Sequence, residues 1–148
     1  MAQPHKYELG QTLMLALADF QRRLDDDLRY RGVPGIRSRH RAVFIHLNRF
    51  GASRSVDLAA AAEIRPQSMM KIVHELEDLG LVTRREDPRD SRAKLIEFTA
   101  AGQDLIGELK DSTEAVWDQY ASVLGTKELT QTLGSLRKLF LHNTEGES

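Results

Sequence analysis

Five basic side chains that could bind nucleic acid lie in one short stretch, residues 82–98: Arg84, Arg85, Arg89, Arg92 and Lys94. Asp87-Pro88 divides this stretch and favours a turn, because proline fixes φ and aspartate bonds to its own backbone. Val82 before the turn and Leu95, Ile96 and Phe98 after it favour strands. The stretch therefore predicts a β-hairpin with guanidinium groups at its tip, a shape that can enter a groove of nucleic acid.

The same hairpin could also be a solvated surface turn whose opposite charges cancel locally. Charged turns are common on protein surfaces, and exposed ion pairs contribute little to stability. The hairpin alone favours neither interpretation. The decision between them depends on the elements that precede it.

Length and composition limit the class of protein. The chain has 148 residues, of which 41% are hydrophobic and 29% charged, so one globular domain or one domain with helical extensions is expected. It has no cysteine, which excludes disulfides, thiolate zinc sites and cysteine-based redox sensing. No apolar run is long enough for a bilayer, and the N-terminus lacks the apolar region of a signal peptide. A cytoplasmic location is therefore expected.

The distribution of charge matters more than its total. The net charge of −1 argues against a nucleic-acid binder, but residues 29–56 contain seven arginines and no acidic residue. Residues 97–148 contain four basic and nine acidic residues, so positive potential is local. The most basic part, Arg37 to Arg41, is expected to contact phosphate. An anionic ligand or simple solubility are alternatives for it.

The apolar pattern predicts helices around the hairpin. Six large apolar residues from Leu9 to Leu28, spaced 4, 4, 3, 4 and 4, form one face of a helix over about residues 7–30. A second helix is expected from a cap at Ser38 to a stop at Gly51. Residues 52–54 form a connector or minimal strand. After the hairpin, a long helix capped by Thr99 and a last helix after Gly125 are expected.

Two short helices precede the hairpin. The first, 56–63, is expected to be capped by Ser55, and the second begins at Pro66 and ends near Gly80. Together with the hairpin they predict a winged helix-turn-helix, with the second helix in the major groove. Its first turn and exposed face would offer Gln67, Ser68, Lys71 and His74. The alternative is an ordinary amphipathic surface helix, which acidic residues in its C-terminal half would suit.

Three motifs resemble the MarR family of bacterial transcription regulators. They are L-x-x-L-G-L-V (76–82), D-x-R-x-x-R (Asp87, Arg89 and Arg92) and T-x-x-G (Thr99 and Gly102). The resemblance is closest over residues 57–102, and the flanking helix lengths extend it to nearly the whole chain. It implies a mainly α fold with a small β-hairpin wing. The DNA-binding lobe would span 37–99 and the dimerisation helices 5–32 and 99–143, within a single domain, 1–148.

The resemblance also implies a homodimer that binds a palindromic operator, most simply as a repressor. It assigns the DNA-facing positions of the recognition helix to Gln67, Ser68, Met70, Lys71 and His74. In the wing, Arg89 would enter the minor groove while Asp87 and Arg92 brace the turn by pairing with each other. The remaining wing cations, Arg84, Arg85 and Lys94, belong to the same expected interface.

The sequence departs from the family at two of these positions. Arg65 stands where a serine or threonine usually caps the recognition helix, so it is expected to reach a phosphate instead. Met70 replaces a small polar residue, which predicts an apolar contact such as one with a thymine methyl group.

A ligand cleft between the dimerisation helices and the DNA-binding lobe is a further implication, suited to a small aromatic or lipophilic effector. The candidates for its lining are Tyr30, His40, Phe44 and Trp117, although ordinary packing is favoured for each. No cofactor is expected. The five histidines show no i, i+4 pair, so a metal site is not supported.

The chain lacks the motifs of an enzyme. It has no glycine-rich phosphate loop, no metal-ligand spacing and no nucleophile motif. The alternative to a DNA-binding regulator is therefore a winged-helix protein that acts as a protein-interaction or antirepressor module.

Overall fold

Helices and one small sheet make up the residues that the computed structural model describes, 5–33 and 35–141. The last residues of the predicted final helix, 142 and 143, lie outside them. The predicted mainly α fold with a β-hairpin wing is confirmed. In chain order the elements are α1 Glu8–Tyr30, α2 Ser38–Phe50, β1 Ser53–Arg54, α3 Ser55–Ala61, α4 Pro66–Asp78, β2 Val82–Asp87, β3 Asp90–Phe98, α5 Ala100–Leu124 and α6 Thr126–Leu141.

The predicted caps at Ser38 and Ser55 are wrong. Both serines are the first helical residues, and the residues before them take the extended N-cap position. In α2 the backbone N–H of Arg37 donates to His40 Nδ1 over 3.1 Å. In α3 the chain passes directly from strand β1 into the helix, so the last strand residue, Arg54, is the extended residue that precedes the helix.

The cap at Thr99 is confirmed, and it explains the T-x-x-G motif. Thr99 Oγ1 accepts the Gly102 N–H over 3.1 Å and donates to the Gly80 carbonyl over 2.6 Å. A Cβ on Gly102 would lie 2.1 Å from the carbonyl oxygen of Leu81. Glycine is therefore required where the first turn of α5 crosses the chain that leaves α4.

The sheet is antiparallel with strand order β1-β3-β2. β2 and β3 form the predicted hairpin, in which Val82 pairs with Phe98 and Asp87 with Asp90 around a turn at Pro88-Arg89. The two-residue strand β1 pairs with β3 at Leu95 and Ile96. Strand β1 thereby brings the end of α2 and the start of α3 beside the wing.

The larger core joins the second, third and fourth helices to the base of the wing. Its fully buried side chains include Val43, Phe44, Leu58, Val73 and Ile96. Full burial of one such side chain stabilises the fold by about 1.5–3 kcal/mol. This core fixes α4, the predicted recognition helix, and the hairpin in one body.

The leucine face of α1 divides into two parts. Leu24 and Leu28 are buried against Val116 of α5, and Leu28 is only 1% exposed. Leu9 and Leu17, in the first half of the same face, are 60% and 57% exposed. The predicted apolar face of α1 is therefore buried within the chain only in the second half of the helix. None of the described helices combines the length and apolar character of a membrane span.

Candidate nucleic-acid interface

The recognition helix α4 presents one polar face because its other face is buried. Met69, Ile72, Val73 and Leu76 pack in the core, whereas Gln67, Ser68, Lys71 and His74 are exposed and Met70 is partly exposed. Arg65 lies at the N-cap position and makes no side-chain cap bond. The first backbone N–H groups of the helix thus lack a side-chain acceptor and could bind phosphate.

The turn between α3 and α4 is tight and brings α4 directly after α3. Glu63 has φ of 55°, a left-handed conformation that non-glycine residues rarely adopt. The N–H of Ile64 then donates to the Ala59 carbonyl over 3.1 Å, closing the end of α3. This turn places α4 directly after α3, as a helix-turn-helix requires.

Two of the three acidic residues on α4 are bound by cations or histidine. Glu75 Oε2 lies 2.7 Å from His40 Nε2 and 3.0 Å from Arg39 Nε. Glu77 forms an ion pair with Arg84 of the wing, with 2.9 Å between Oε1 and Nε. These two carboxylates therefore hold α4 against α2 and β2.

Asp87 is the structural centre of the wing turn. Its side chain is only 5% exposed, and it accepts the Arg89 backbone N–H over 2.9 Å and Arg54 Nε over 2.8 Å. These bonds, first that from the Arg89 backbone and then that from Arg54, hold the pKa of Asp87 below its usual range. The carboxylate is thus charged at neutral pH and orders the turn that carries Arg89.

The predicted brace between Asp87 and Arg92 is wrong. Arg54 Nη2 lies 2.6 Å from the Asp87 carboxylate, whereas Arg92 donates its backbone N–H to Asp90 over 3.0 Å. Strand β1 explains the difference, because it pairs with β3 and carries Arg54 to the wing from 33 residues away in sequence. The motif spacing contains no signal for such a distant partner.

The predicted DNA-binding cations divide into two groups. Arg84, Arg85 and Lys94 are paired with Glu77, Glu97 and Glu86 over 2.9, 2.9 and 3.8 Å. Within residues 5–33 and 35–141, no ion pair involves the second group, which comprises Arg65, Lys71, Arg89 and Arg92. All four of these are exposed, one at the N-cap of α4, one on α4 and two on the wing.

Two arginines of the basic segment at the start of α2 join this helix to neighbouring helices. Arg41 is 9% exposed and donates to Asp25 of α1 over 2.6 Å, while Arg39 binds Glu75 of α4. Burial excludes the predicted phosphate contact for Arg41. Arg37 is exposed and has no ion pair in the described part of the chain, so the expectation of a phosphate contact rests on this residue of the segment.

A cleft of about 690 Å³ lies between α1, α2 and α5. Apolar side chains dominate its wall, with Arg41 and Lys110 among the charged ones; the apolar set includes Leu17, Phe20, Leu24, Phe44, Ile106 and Leu109. Of the four predicted lining residues, Phe44 alone is found in this wall. Tyr30 is 91% exposed, His40 contacts Glu75 of α4, and Trp117 is partly buried on α5.

No three histidine or acidic side chains of the described ranges come together as a metal site. Arg54 and the Arg39–His40–Glu75 contacts are the parts of the site that the sequence analysis does not identify. The basic start of α2 is the only sequence signal for the second of these, and it predicts a phosphate contact instead.

Comparisons with known proteins agree on the winged-helix architecture. The sequence profile of the MarR family matches residues 32–93. A protein of Thauera aromatica, whose name assigns it to transcriptional regulation of the hcr operon, is 26% identical over 98 residues. That match covers 66% of this chain and 58% of the relative's length.

Solved structures superpose over almost the full length. A MarR family protein from Bacillus stearothermophilus has a TM-score of 0.78 at 19% identity, covering 97% of this chain and 99% of its own. Wild-type MarR from E. coli in its apo form has a TM-score of 0.76 at 17% identity, covering 94% and 98%. At these identities the likeness establishes the fold.

Proposed function

We propose that this chain, whose residues 32–93 match the profile of the MarR family of transcriptional regulators, is a sequence-specific repressor that binds a palindromic operator as a homodimer and leaves it when a small ligand binds. Members of this family are transcriptional regulators rather than enzymes, bind DNA and act as dimers. The proposed site of action is the cytoplasm.

The observation that carries this proposal is the group of four exposed cations without a carboxylate partner among the described residues. Arg65 lies at the N-cap of the recognition helix and Lys71 on the helix, and Arg89 and Arg92 lie on the wing. A cation that no protein carboxylate neutralises can replace the counterions of phosphate, which is the main source of DNA affinity. The recognition helix and the wing would thus bind in adjacent grooves of one duplex.

Base recognition is assigned to the exposed face of the recognition helix. Gln67, Ser68 and His74 offer hydrogen-bonding groups, and Met70 offers an apolar surface to a thymine methyl group. Arg89 would enter the minor groove from a turn that Asp87 orders. Arg84, Arg85 and Lys94 would orient the wing through their ion pairs while remaining near the phosphates.

Exposed apolar residues support a homodimer. Leu9, Leu13 and Leu17 at the start of α1 and Leu139 and Phe140 at the end of α6 are exposed, although their spacing is that of a buried helix face. Contiguous apolar surface of this kind marks an interaction site. We assign both patches to a second copy of the chain, with 5–32 and 99–143 as dimerisation helices and 37–99 as the DNA-binding lobe.

Ligand release is assigned to the cleft between α1, α2 and α5. Its volume and apolar wall suit a small aromatic or lipophilic compound. Helix α2 contacts both the cleft and the recognition helix, since Phe44 lines the cleft and His40, one turn earlier, contacts Glu75. Suppose that a ligand binds more tightly when α2 takes one position than when it takes another. It would then shift α2 towards that position, and the recognition helix with it.

DNA binding is tested by selecting duplexes from random-sequence DNA with the native protein, and then measuring affinity across salt concentrations. We expect one palindromic sequence with half-sites about 34 Å apart, and a steep linear fall of log affinity with log salt. Failure to enrich any sequence would contradict operator binding. A footprint over one unpaired half-site would contradict the dimer.

Repression and release need separate measurements. Transcription in vitro from a promoter that overlaps the selected sequence should fall when the protein is added. A thermal-shift screen with phenolic and lipophilic compounds should find one that raises the melting temperature and restores transcription. A compound that stabilises the protein without restoring transcription would argue against ligand-driven release.

A further inference from the structure

Glu75, on the recognition helix, is held by two side chains of the preceding helix α2. His40 Nε2 lies 2.7 Å and Arg39 Nε 3.0 Å from the same carboxylate oxygen. His40 is 2% exposed and the Glu75 side chain 29% exposed, so the imidazole side of the bond is buried and the carboxylate is partly solvated. The two donors, His40 first and then Arg39, lower the pKa of Glu75.

The backbone fixes the position of the imidazole proton. The N–H of Arg37 donates to His40 Nδ1 over 3.1 Å, so this nitrogen is an acceptor and carries no proton. In the neutral ring the proton therefore lies on Nε2, which donates to Glu75. The ring thus connects the first turn of α2 to the recognition helix through two directional bonds.

These directional bonds add what the apolar core lacks. Val43 and Leu47 of α2 pack in the same buried core as Val73 and Leu76 of α4, but apolar burial is non-directional and tolerates small rotations. Hydrogen bonds weaken steeply when their angle changes. The contacts at Glu75 therefore restrict rotation of α4 about its own axis.

The anchor lies on the same row of the helix as the proposed DNA contacts. Lys71 precedes Glu75 by four residues and Gln67 precedes it by eight, which aligns the three side chains along one side of α4. Eight residues correspond to about 12 Å along the axis. A rotation at Glu75 would consequently turn Gln67 and Lys71 away from their positions in the groove.

We propose that the Arg39–His40–Glu75 cluster sets the rotation of the recognition helix and thereby determines sequence specificity, as a group of positioning residues that do not touch DNA. This inference rests on the proposed function, because it requires the polar face of α4 to lie in the major groove. Base-edge hydrogen bonds depend on angle, whereas attraction to phosphate depends mainly on charge. Loss of the cluster should therefore lower operator affinity and leave affinity for unrelated DNA unchanged.

A matched pair of substitutions at His40 tests this inference. His40→Asn keeps an acceptor near Nδ1 for the Arg37 N–H but is too short to reach Glu75. His40→Gln places an N–H donor near Nε2 and keeps that contact. The readout is the ratio of affinities for the duplex that the native protein enriches from random-sequence DNA and for a scrambled duplex of equal length, at one salt concentration.

We expect His40→Asn to lower this ratio about ten-fold, since a hydrogen bond to a charged group is lost. His40→Gln should retain it, and Arg39→Gln, at an exposed position, should lower it about three-fold. Affinity for the scrambled duplex should be unchanged for the two His40 variants. Asp104→Asn, at an exposed carboxylate of α5 outside the proposed interface, is the control for a neutral change on the surface.

The outcomes separate this inference from the proposed function. If the native protein enriches no sequence, the proposed function fails and the inference fails with it. If enrichment succeeds but His40→Asn keeps the native ratio, the inference alone is overturned. Equal losses in His40→Asn and His40→Gln would assign the effect to packing and also overturn it. Should His40→Asn fail to fold, native ratios in both Arg39→Gln and Glu75→Ala would overturn the inference, and reduced ratios would support it.

Discussion

At the start of α2, Arg39 and Arg41 are bound to carboxylates of α4 and α1, whereas Lys71 of the recognition helix and Arg89 of the wing have no carboxylate partner in the described part of the chain. The first region has the higher density of arginine in the sequence. The second region has the cations that are available to an external anion. Local charge in a sequence and positive potential on a surface are therefore different quantities.

The cations of the two regions differ in their pairing because the arginines of α2 connect neighbouring helices, whereas the wing turn is ordered by a single carboxylate. Helix α2 lies between α1 and α4, and its arginines connect it to both. The wing is ordered by one buried carboxylate, Asp87, which takes its cation from β1, and the Arg89 side chain has no ion pair among the described residues. A solvated, unpaired guanidinium at a turn is ready to enter a groove.

The largest effect on DNA affinity is expected from Arg89→Ala. Loss of a groove-inserted arginine should reduce operator affinity by about 1–3 kcal/mol per site. Fluorescence anisotropy with the selected duplex measures this change. Arg37→Ala, which removes the unpaired arginine at the start of α2, should have a smaller effect. A larger loss from Arg37→Ala than from Arg89→Ala would reverse the comparison between the two regions.

An intermediate effect is expected from Arg54→Gln, which removes the cation from Asp87 but leaves Arg89 in place. The wing turn should become less ordered, and operator affinity should fall by about three- to ten-fold. The pKa of Asp87 should rise in Arg54→Gln, because a cation that favours the charged form is lost. Carboxyl NMR of Asp87 in Arg54→Gln and Arg92→Gln decides between the two braces. A rise only in Arg92→Gln would contradict the geometry.

Arg41→Gln should change folding stability more than DNA binding. It leaves Asp25 without its buried partner, which should lower the free energy of unfolding by about 1–3 kcal/mol. Denaturant titration measures the loss. The salt dependence of binding to unrelated DNA should stay at the native value, since Arg41 is buried. A change in that dependence with native stability would place Arg41 at the DNA instead.

The smallest expected effect is a change of folding stability with pH, which comes from a contact between α1 and α5, away from the wing. Arg23 and then Tyr120 lower the pKa of Asp19 to about 2, joining α1 to α5. Because this pKa is below that of the unfolded chain, the contribution of Asp19 is present above about pH 4 and is lost as pH falls towards 2. The difference in melting temperature between native protein and Asp19→Asn should shrink over this range. A constant difference would argue against the pairing.

The sequence was sufficient for the elements and for the motif residues that act locally. The Thr99 cap, the stop after α4 and the turn at Pro88-Arg89 depend on neighbouring residues, so their local signals were adequate. The Arg54–Asp87 pair and the Glu75 anchor join residues more than 30 positions apart. Such contacts depend on tertiary packing, which spacing alone does not encode.

The cleft shows the same limit. Of the four predicted lining residues Phe44 lies in its wall, whereas His40, one turn earlier on the same helix, is bound to Glu75. Residues four apart lie on similar sides of a helix, so the spacing in α2 contains no signal for their different partners.

The salt dependence of binding to unrelated DNA tests the central comparison most directly, using Lys71→Gln and Arg39→Gln. Each substitution removes one positive charge from an exposed position. If Lys71 meets phosphate and Arg39 is committed to Glu75, Lys71→Gln should lower the slope of log affinity against log salt by about 2 per dimer, and Arg39→Gln should leave it unchanged. An unchanged slope in Lys71→Gln, or an equal decrease in both variants, would contradict the account.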